Sequence, residues 1–109
     1  MPQTGDTPRR VLVVGASGGE RVIAAARRVP PDGLMICIDG DRQAAAEAVE
    51  TFAREGLGGR VSVITGDPAL FVRKVAGPFD LILTAGGCGG RLADQLRARL
   101  APAGRILDL

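Results

Sequence analysis

A thirty-residue segment near the start of the chain, residues 11–40, has the sequence VLVVGASGGERVIAAARRVPPDGLMICIDG. Its first four residues are all aliphatic, as expected for a strand of a parallel sheet that is covered on both faces. A glycine-rich turn follows, then apolar residues at helical spacing, then a second apolar run that ends in the carboxylate of Asp39. This order predicts a pocket for a nucleotide-type ligand at the carboxyl end of a parallel sheet.

The rest of the chain continues the alternation of strands and helices. Further strands are predicted at residues 61–65, 79–84 and 105–109, with helices between them. Right-handed crossovers between such strands predict an α/β, doubly wound parallel sheet of the Rossmann-like kind, with strand order 3-2-1-4-5. The length of 109 residues suits a single domain, expected at residues 11–109 after a flexible lead-in at residues 1–10.

Several helices carry recognisable start and stop signals. The second helix is predicted to begin after the capping residue Asp41 and to stop at Gly56, which favours a left-handed backbone. The third is predicted to have Asp67 as its cap and Pro68 in its first turn, and to run through about Val75. The apolar stripes of the second and fourth helices are expected to comprise Ala45, Ala48, Val49, Phe52, Leu92, Leu96 and Leu100.

Composition excludes several classes of function. The net charge of +2 comes from 14 basic and 12 acidic residues that form no cluster, and the chain has no Tyr or Trp, so nucleic acid is not an expected partner. No apolar run approaches the roughly 20 residues that cross a bilayer, and no signal-peptide core is present, so a cytoplasmic protein without membrane contact is expected. Cys37, expected in the core, and Cys88 show neither a disulfide framework nor metal-ligand spacing.

The ligand is expected above the first and fourth strands, where the topology of the sheet reverses. A dinucleotide site would need glycine at three positions counted from Gly15, but Ser17 and Glu20 occupy the second and third. Glu20 would also lie at the positive end of a helix dipole and repel a pyrophosphate there. The turn therefore favours a cationic or zwitterionic cofactor over a dinucleotide. A nicotinamide-dependent oxidoreductase is accordingly the third and least favoured function, behind the two given at the end of this section.

Spaced as G-x-G-x-G, the turn has Gly15 and Gly19 with Ser17 between them, and it resembles the first motif of class I S-adenosylmethionine-dependent methyltransferases. The stretch RRVPPDGLMICIDGDRQAAAEAVETFAREGLGGRVSVITGD is similar to small-molecule O-methyltransferases of the catechol type. The stretch FDLILTAGGCGGRLADQLRARLAPAGRILDL resembles the decarboxylating precorrin methyltransferases. Together the resemblance covers the chain from Val11 to its end.

The resemblance implies S-adenosylmethionine as cofactor. Asp39 ends the second strand where such enzymes hold the ribose hydroxyls, and Asp67 follows the third strand where they hold the adenine. Each feature also has a purely structural explanation: the turn as a tight connection, Asp39 as a solvated strand end and Asp67 as a helix cap. The cofactor-binding residues that the resemblance implies are Gly15, Ser17, Gly19, Asp39, Asp67 and Ala85.

The chain also departs from the family pattern. The acid that the family carries in its first strand falls at Val13, and the metal-binding acid of catechol-type enzymes falls near Ala85, so no metal is expected. Methyl transfer depends mainly on alignment of the reactants, and with no His in the chain no catalytic residue is assigned. The family fold has two further strands and a helical cap, so the chain is expected to be a minimal or truncated cofactor-binding core.

The leading hypothesis is a methyltransferase-like domain that acts on a small molecule, with the loop at residues 85–90 facing the methyl group. The alternative is a non-catalytic Rossmann-like relic that works as a dimerising interaction module. The fifth strand is predicted to be a sheet edge with unpaired backbone groups, which natural proteins usually cover. A homo-oligomer, such as a dimer formed through this edge, is therefore expected. At the opposite end of the sheet, Asp80 is expected to anchor the start of the fourth strand.

Overall fold

The computed structural model describes residues 8–15, 19–75, 77–84 and 90–108. Within them, five parallel strands form one sheet of order β3-β2-β1-β4-β5, so the predicted fold class and strand order are confirmed. In chain order the elements are β1 Arg10–Val14, α1 Glu20–Arg28, β2 Leu34–Asp39, α2 Arg42–Arg54, β3 Val61–Thr65, α3 Pro68–Phe71, β4 Phe79–Thr84, α4 Gly90–Arg97 and β5 Leu100–Asp108.

The central strand β1 contributes to two hydrophobic cores, one on each face of the sheet. Val11 and Val13 pack with residues of α1 and α2, whereas Leu12 and Val14 pack on the face that carries α3 and α4. All four side chains are buried, because successive residues of a strand point to opposite faces and both faces are covered here. This burial explains why the strand is aliphatic throughout instead of alternating with polar residues.

The ends of α2 confirm the predicted signals. One carboxylate oxygen of Asp41 accepts the N–H groups of Gln43 and Ala44 at 2.9 and 3.2 Å. After the helix, Gly56 has a φ of +76°, a conformation that glycine adopts without steric cost. The prediction that Val49 belongs to the buried stripe is wrong, because its side chain is 52% exposed. α2 contacts β2 and β3, and β3 is the outermost described strand on that side of the sheet. We attribute the exposure of Val49 to this position of α2 at the edge of the sheet.

The last helix and strand differ from the prediction. Leu100, expected on the stripe of the fourth helix, lies instead in β5, where it pairs with Phe79. The next regular pair is Leu81 with Arg105, so the intervening segment forms an irregularity in the ladder. β5 thus begins five residues before the strand predicted at residues 105–109, and Pro102 and Gly104 are accommodated inside this irregularity, which is one of the places where a sheet tolerates them.

The third helix is shorter than predicted. It ends at Phe71, after which the N–H groups of Lys74 and Val75 still donate to the carbonyl of Phe71 in a looser turn. Its beginning is as predicted, since Pro68 occupies the first turn and Asp67 is the cap. Across the described residues, none of the helices combines the length and the apolar character that a bilayer span requires.

Asp80 ties together the amino ends of the two central strands. Its Oδ2 accepts the backbone N–H groups of Arg9 and Arg10 at 3.0 and 3.1 Å, which confirms the predicted anchor. The guanidinium of Arg10 donates to the carbonyl of Pro78 on the same side of the sheet. This end is therefore fixed by hydrogen bonds between residues that are distant in the sequence, and a ligand is expected at the opposite end, where the parallel strands terminate.

Candidate functional site

The carboxyl ends of the five parallel strands meet along one edge of the sheet. From β3 across to β5, the terminal residues are Thr65, Asp39, Val14, Thr84 and Asp108. The register pairs Thr65 with Asp39 and Thr84 with both Val14 and Asp108. Val14 pairs with Ile38, the residue before Asp39. The topology reverses between β1 and β4, so the crevice expected for a ligand lies above this edge.

Gly15 turns the chain out of the sheet directly after β1. Its φ is +101°, which favours glycine, and its N–H donates to the carbonyl of Ile38 at 3.0 Å. The bend is therefore held against the end of β2. Gly19, at the far side of the turn, is exposed and is the N-cap of α1. As a glycine it has no side chain with which to cap the helix. Ser17 lies outside the described residues.

Asp39 is a predicted site residue whose side chain is held in place by a hydrogen bond. It is 8% exposed, and its Oδ1 accepts the N–H of Asp41 at 2.9 Å. Its backbone carbonyl accepts the N–H of Gly66 at 3.0 Å, which links the end of β2 to the turn after β3. The bond from the N–H of Asp41 orients this carboxylate at the end of β2.

Asp67 and its neighbours form the side of the edge after β3. Oδ1 of Asp67 accepts the N–H of Ala69 at 3.0 Å, so the structural role of a helix cap is confirmed. The preceding Gly66 lies against the ring of Phe71, since a Cβ added there would overlap Cε2 of that ring. An apolar ring is thus placed beside the acidic cap. Sequence reasoning missed Phe71, although an aromatic residue four positions after a cap was a usable signal.

Thr84 and Asp108 form a polar pair on the other side of the switch point. Thr84 is 2% exposed, and its hydroxyl donates to Oδ1 of Asp108 at 3.1 Å. Both residues end strands that are otherwise largely apolar, so each could have been noticed in the sequence. Their contact could not, because it depends on the register of β4 and β5. The predicted residue Ala85, next along the chain, lies outside the described residues.

The electrostatics of this edge disfavour phosphate. Backbone N–H groups at a helix N-terminus are a ready anion site, but those of α2 and α3 are already bonded to Asp41 and Asp67. The first turn of α1 carries the carboxylate of Glu20. A cationic ligand suits such an edge better than a pyrophosphate does. Among the described residues, no cluster of three or more His, Cys, Asp or Glu is arranged to hold a metal ion.

The known proteins that this chain resembles in sequence are O-methyltransferases. A sequence model of the O-methyltransferase family matches residues 6–85. A catechol O-methyltransferase of Mycobacterium tuberculosis is 33% identical over 102 residues, which cover 91% of this chain and 46% of that protein. The chain therefore spans less than half the length of this relative.

Solved structures share the architecture. The O-methyltransferase TomG of Streptomyces achromogenes, solved in complex with SAM, has a TM-score of 0.82 at 23% identity, covering 93% of this chain and 48% of that one. The precorrin 8W decarboxylase of Methanobacterium thermoautotrophicum has a TM-score of 0.74 at 26% identity, covering 89% of this chain and 52% of that one. Both resemblances expected from the sequence are confirmed. Because the family model covers most of its length and a relative is 33% identical over nearly all of it, the chain belongs to the O-methyltransferase family.

Proposed function

We propose that the chain binds S-adenosylmethionine at the carboxyl end of its sheet and serves as a methyltransferase domain for a small-molecule acceptor. One observation carries this proposal: Asp39, whose carboxylate is buried and bonded to the N–H of Asp41, directly follows Ile38, whose carbonyl accepts the N–H of Gly15 at the left-handed bend next to the switch point of the sheet. An acid in this position suits the two hydroxyls of a ribose. The relative that is named a catechol O-methyltransferase and the structure that contains SAM support the same choice.

The site residues divide into four roles. Asp39 would accept hydrogen bonds from the ribose hydroxyls, and Gly15, Ser17 and Gly19 would let the cofactor approach the backbone. Asp67 would contact the adenine through its side chain or backbone while remaining the cap of α3. A loop at residues 85–90, which begins with Ala85, would face the methyl group.

The described residues fit this cofactor better than a dinucleotide. When bound, S-adenosylmethionine supplies a methyl group on a positively charged sulfur, so the leaving group is already built in. What the chain must provide is a fixed position and an edge that tolerates positive charge. Asp39 provides the first by its bond to Asp41, and the aspartates that cap α2 and α3 provide the second.

The proposal also includes the extent of the domain and its location in the cell. Residues 11–109 would form the cofactor-binding domain, preceded by a lead-in at residues 1–10. The chain would work in the cytoplasm, where the buried thiol of Cys37 stays reduced.

Titration calorimetry with S-adenosylhomocysteine tests cofactor binding directly, because it requires no acceptor. We expect saturable binding with one site per chain, and no binding of NADH under the same conditions. Absence of heat with S-adenosylhomocysteine at millimolar concentration would overturn the proposal. Binding of NADH in its place would favour the oxidoreductase alternative.

We further propose that the chain forms a dimer through the edge of β5. Within the described residues β5 pairs only with β4, so its other edge presents backbone groups that a second copy would satisfy. Sedimentation velocity is expected to give about twice the chain mass of 11.2 kDa at micromolar concentration. Amide exchange at residues 105–108 should slow as the concentration rises. A monomer whose exchange is independent of concentration would contradict this dimer.

A further inference from the structure

Arg99, which lies between α4 and β5, is bonded through its side chain to the segment that ends α3. Its Nε donates to the backbone carbonyl of Val72 at 2.7 Å, and its Nη2 donates to that of Arg73 at 3.0 Å. Val72 is the C-cap of α3, and its side chain is fully buried. Because the last carbonyls of a helix have no partner within it, this guanidinium satisfies two groups that would otherwise need another donor.

The backbone of Arg99 is itself fixed. Its N–H donates to the carbonyl of Leu96 in the last turn of α4, and its carbonyl accepts the N–H of Phe79, the first residue of β4, at 2.7 Å. The side chain therefore extends from an anchor that α4 and β4 share. A guanidinium is planar and presents its N–H groups in fixed directions, so it can hold two neighbouring carbonyls at once, which an ammonium group does less well.

α3 depends on contacts of this kind because it is short. It comprises only Pro68–Phe71, and a helix of this length does not persist on its own in water. Asp67 caps its beginning, and Arg99 holds the carbonyls that follow its end. The N–H of Val72 donates to the carbonyl of Pro68 at 2.9 Å, so a single turn connects the clamped end to the cap.

This turn carries the side of the proposed cofactor site that is assigned to the adenine. The N–H of Phe71 donates to the carbonyl of Asp67 at 3.0 Å, and the ring of Phe71 lies against Gly66. A shift of the clamped end would therefore displace Gly66 and Asp67 as well. Arg99 directly precedes β5, toward the amino end of the sheet, so its effect on a ligand at the carboxyl end must pass through α3.

We propose that Arg99 is a positioning residue that sets the preference of the cofactor site for adenine. This inference rests on the function proposed above, in which Asp67 contacts the adenine. The exocyclic amino group of adenine donates hydrogen bonds, whereas the oxo group of hypoxanthine only accepts them. An acceptor oxygen of Asp67 that is held in place bonds to the first and repels the second, and it discriminates less once α3 can move.

Titration calorimetry with S-adenosylhomocysteine and with S-inosylhomocysteine, in which hypoxanthine replaces adenine, measures this preference. The parent chain is expected to bind the adenine compound at least about tenfold more tightly, the difference that one hydrogen bond to a charged group provides. Arg99→Met keeps the apolar stem of the side chain without its donors and should reduce the ratio to less than about threefold. Arg99→Lys keeps the charge and can bond to one carbonyl, so it should give an intermediate ratio.

Arg60→Met is the matched control. Arg60 is also half-buried, and its Nη1 donates to the carbonyl of Val29, the C-cap of α1, at 3.3 Å. The substitution should lower the midpoint of urea unfolding and leave the preference for adenine unchanged, since α1 carries no group that is assigned to the base. If Arg60→Met relaxes the preference as much as Arg99→Met does, general destabilisation is the cause and the proposal is overturned.

Amide exchange in the ligand-free chain distinguishes failure of this inference from failure of the proposed function. The N–H groups of Phe71 and Val72 are expected to exchange at least about tenfold faster in Arg99→Met, because local opening of α3 becomes easier. Those of Gln43 and Ala44, which bond to the cap of α2, should exchange as in the parent chain.

The role of Arg99 is overturned if exchange at α3 does not change, if Arg99→Met keeps the full preference for adenine, or if the parent chain binds both compounds equally. In each of these cases the parent chain still binds S-adenosylhomocysteine, so the proposed cofactor site stands. A parent chain that binds neither compound overturns the proposed function itself, and the inference about Arg99 with it.

Discussion

Replacement of Asp39 by alanine is expected to weaken the binding of S-adenosylhomocysteine by about 10- to 100-fold. Hydrogen bonds to a charged group contribute about 1.5–3 kcal/mol each, and about 1.4 kcal/mol corresponds to a tenfold change in affinity. The carboxylate is buried and oriented by the N–H of Asp41, so little reorganisation is needed before a ribose can bind. Titration calorimetry of the variant and the parent chain at one temperature provides the comparison.

Asp39→Ala also removes the acceptor for the N–H of Asp41, so a structural effect must be separated from a loss of contact. Asp39→Asn keeps an acceptor oxygen for that N–H and removes the charge. If the ribose contact dominates, both variants lose affinity while their midpoints of urea unfolding stay close to that of the parent chain. If affinity and stability fall together only in the alanine variant, the role of Asp39 is structural and the proposed site is wrong.

Asp32→Asn provides the matched control, because Asp32 is an exposed acid near the amino end of the sheet. It forms an ion pair with Arg9, and pairs this exposed contribute little to stability. Its substitution changes the net charge by the same amount as Asp39→Asn does. Unchanged affinity in this control, with loss in the Asp39 variants, would assign the effect to the position of the carboxylate and not to overall charge.

Local chemistry explains what could be predicted from the sequence. The caps Asp41 and Asp67 were identifiable because a short acid before a helix bonds to amides two or three residues away, whatever surrounds it. The bend at Gly15 was identifiable because an aliphatic run can leave a sheet abruptly only through a turn. Asp39 was identifiable as the first charged residue after the apolar run of β2.

Long-range pairing explains what could not be predicted. Leu92, Leu96 and Leu100 recur at helical spacing, but the pairing of Leu100 with Phe79 draws the last of them into β5. Such a contact depends on the register of two strands that are about twenty residues apart, and local pattern carries no information about it. The same limit concealed the bond between Thr84 and Asp108, which is part of the candidate edge.

Replacement of Phe52 by alanine is expected to lower the free energy of unfolding by about 3–5 kcal/mol. The side chain is 1% exposed and belongs to the core formed by β1, β2 and the helices α1 and α2. Removing the ring forfeits its transfer free energy and leaves a cavity that the surrounding close-packed side chains fill only in part. Urea titration followed by circular dichroism measures the change, with the denaturant slope expected to stay constant.

Val49→Ala is the matched control in the same helix, and it decides between two orientations of α2. If Val49 belonged to the buried stripe, as its spacing suggests, the substitution would cost more than about 1 kcal/mol. At 52% exposure it should cost less than about 0.5 kcal/mol, because alanine also has the higher helix propensity. Should Phe52→Ala fail to fold, Phe52→Leu is expected to retain the fold at a smaller cost. Equal losses at the two positions would contradict the orientation of α2 described above, in which Phe52 is buried and Val49 is exposed.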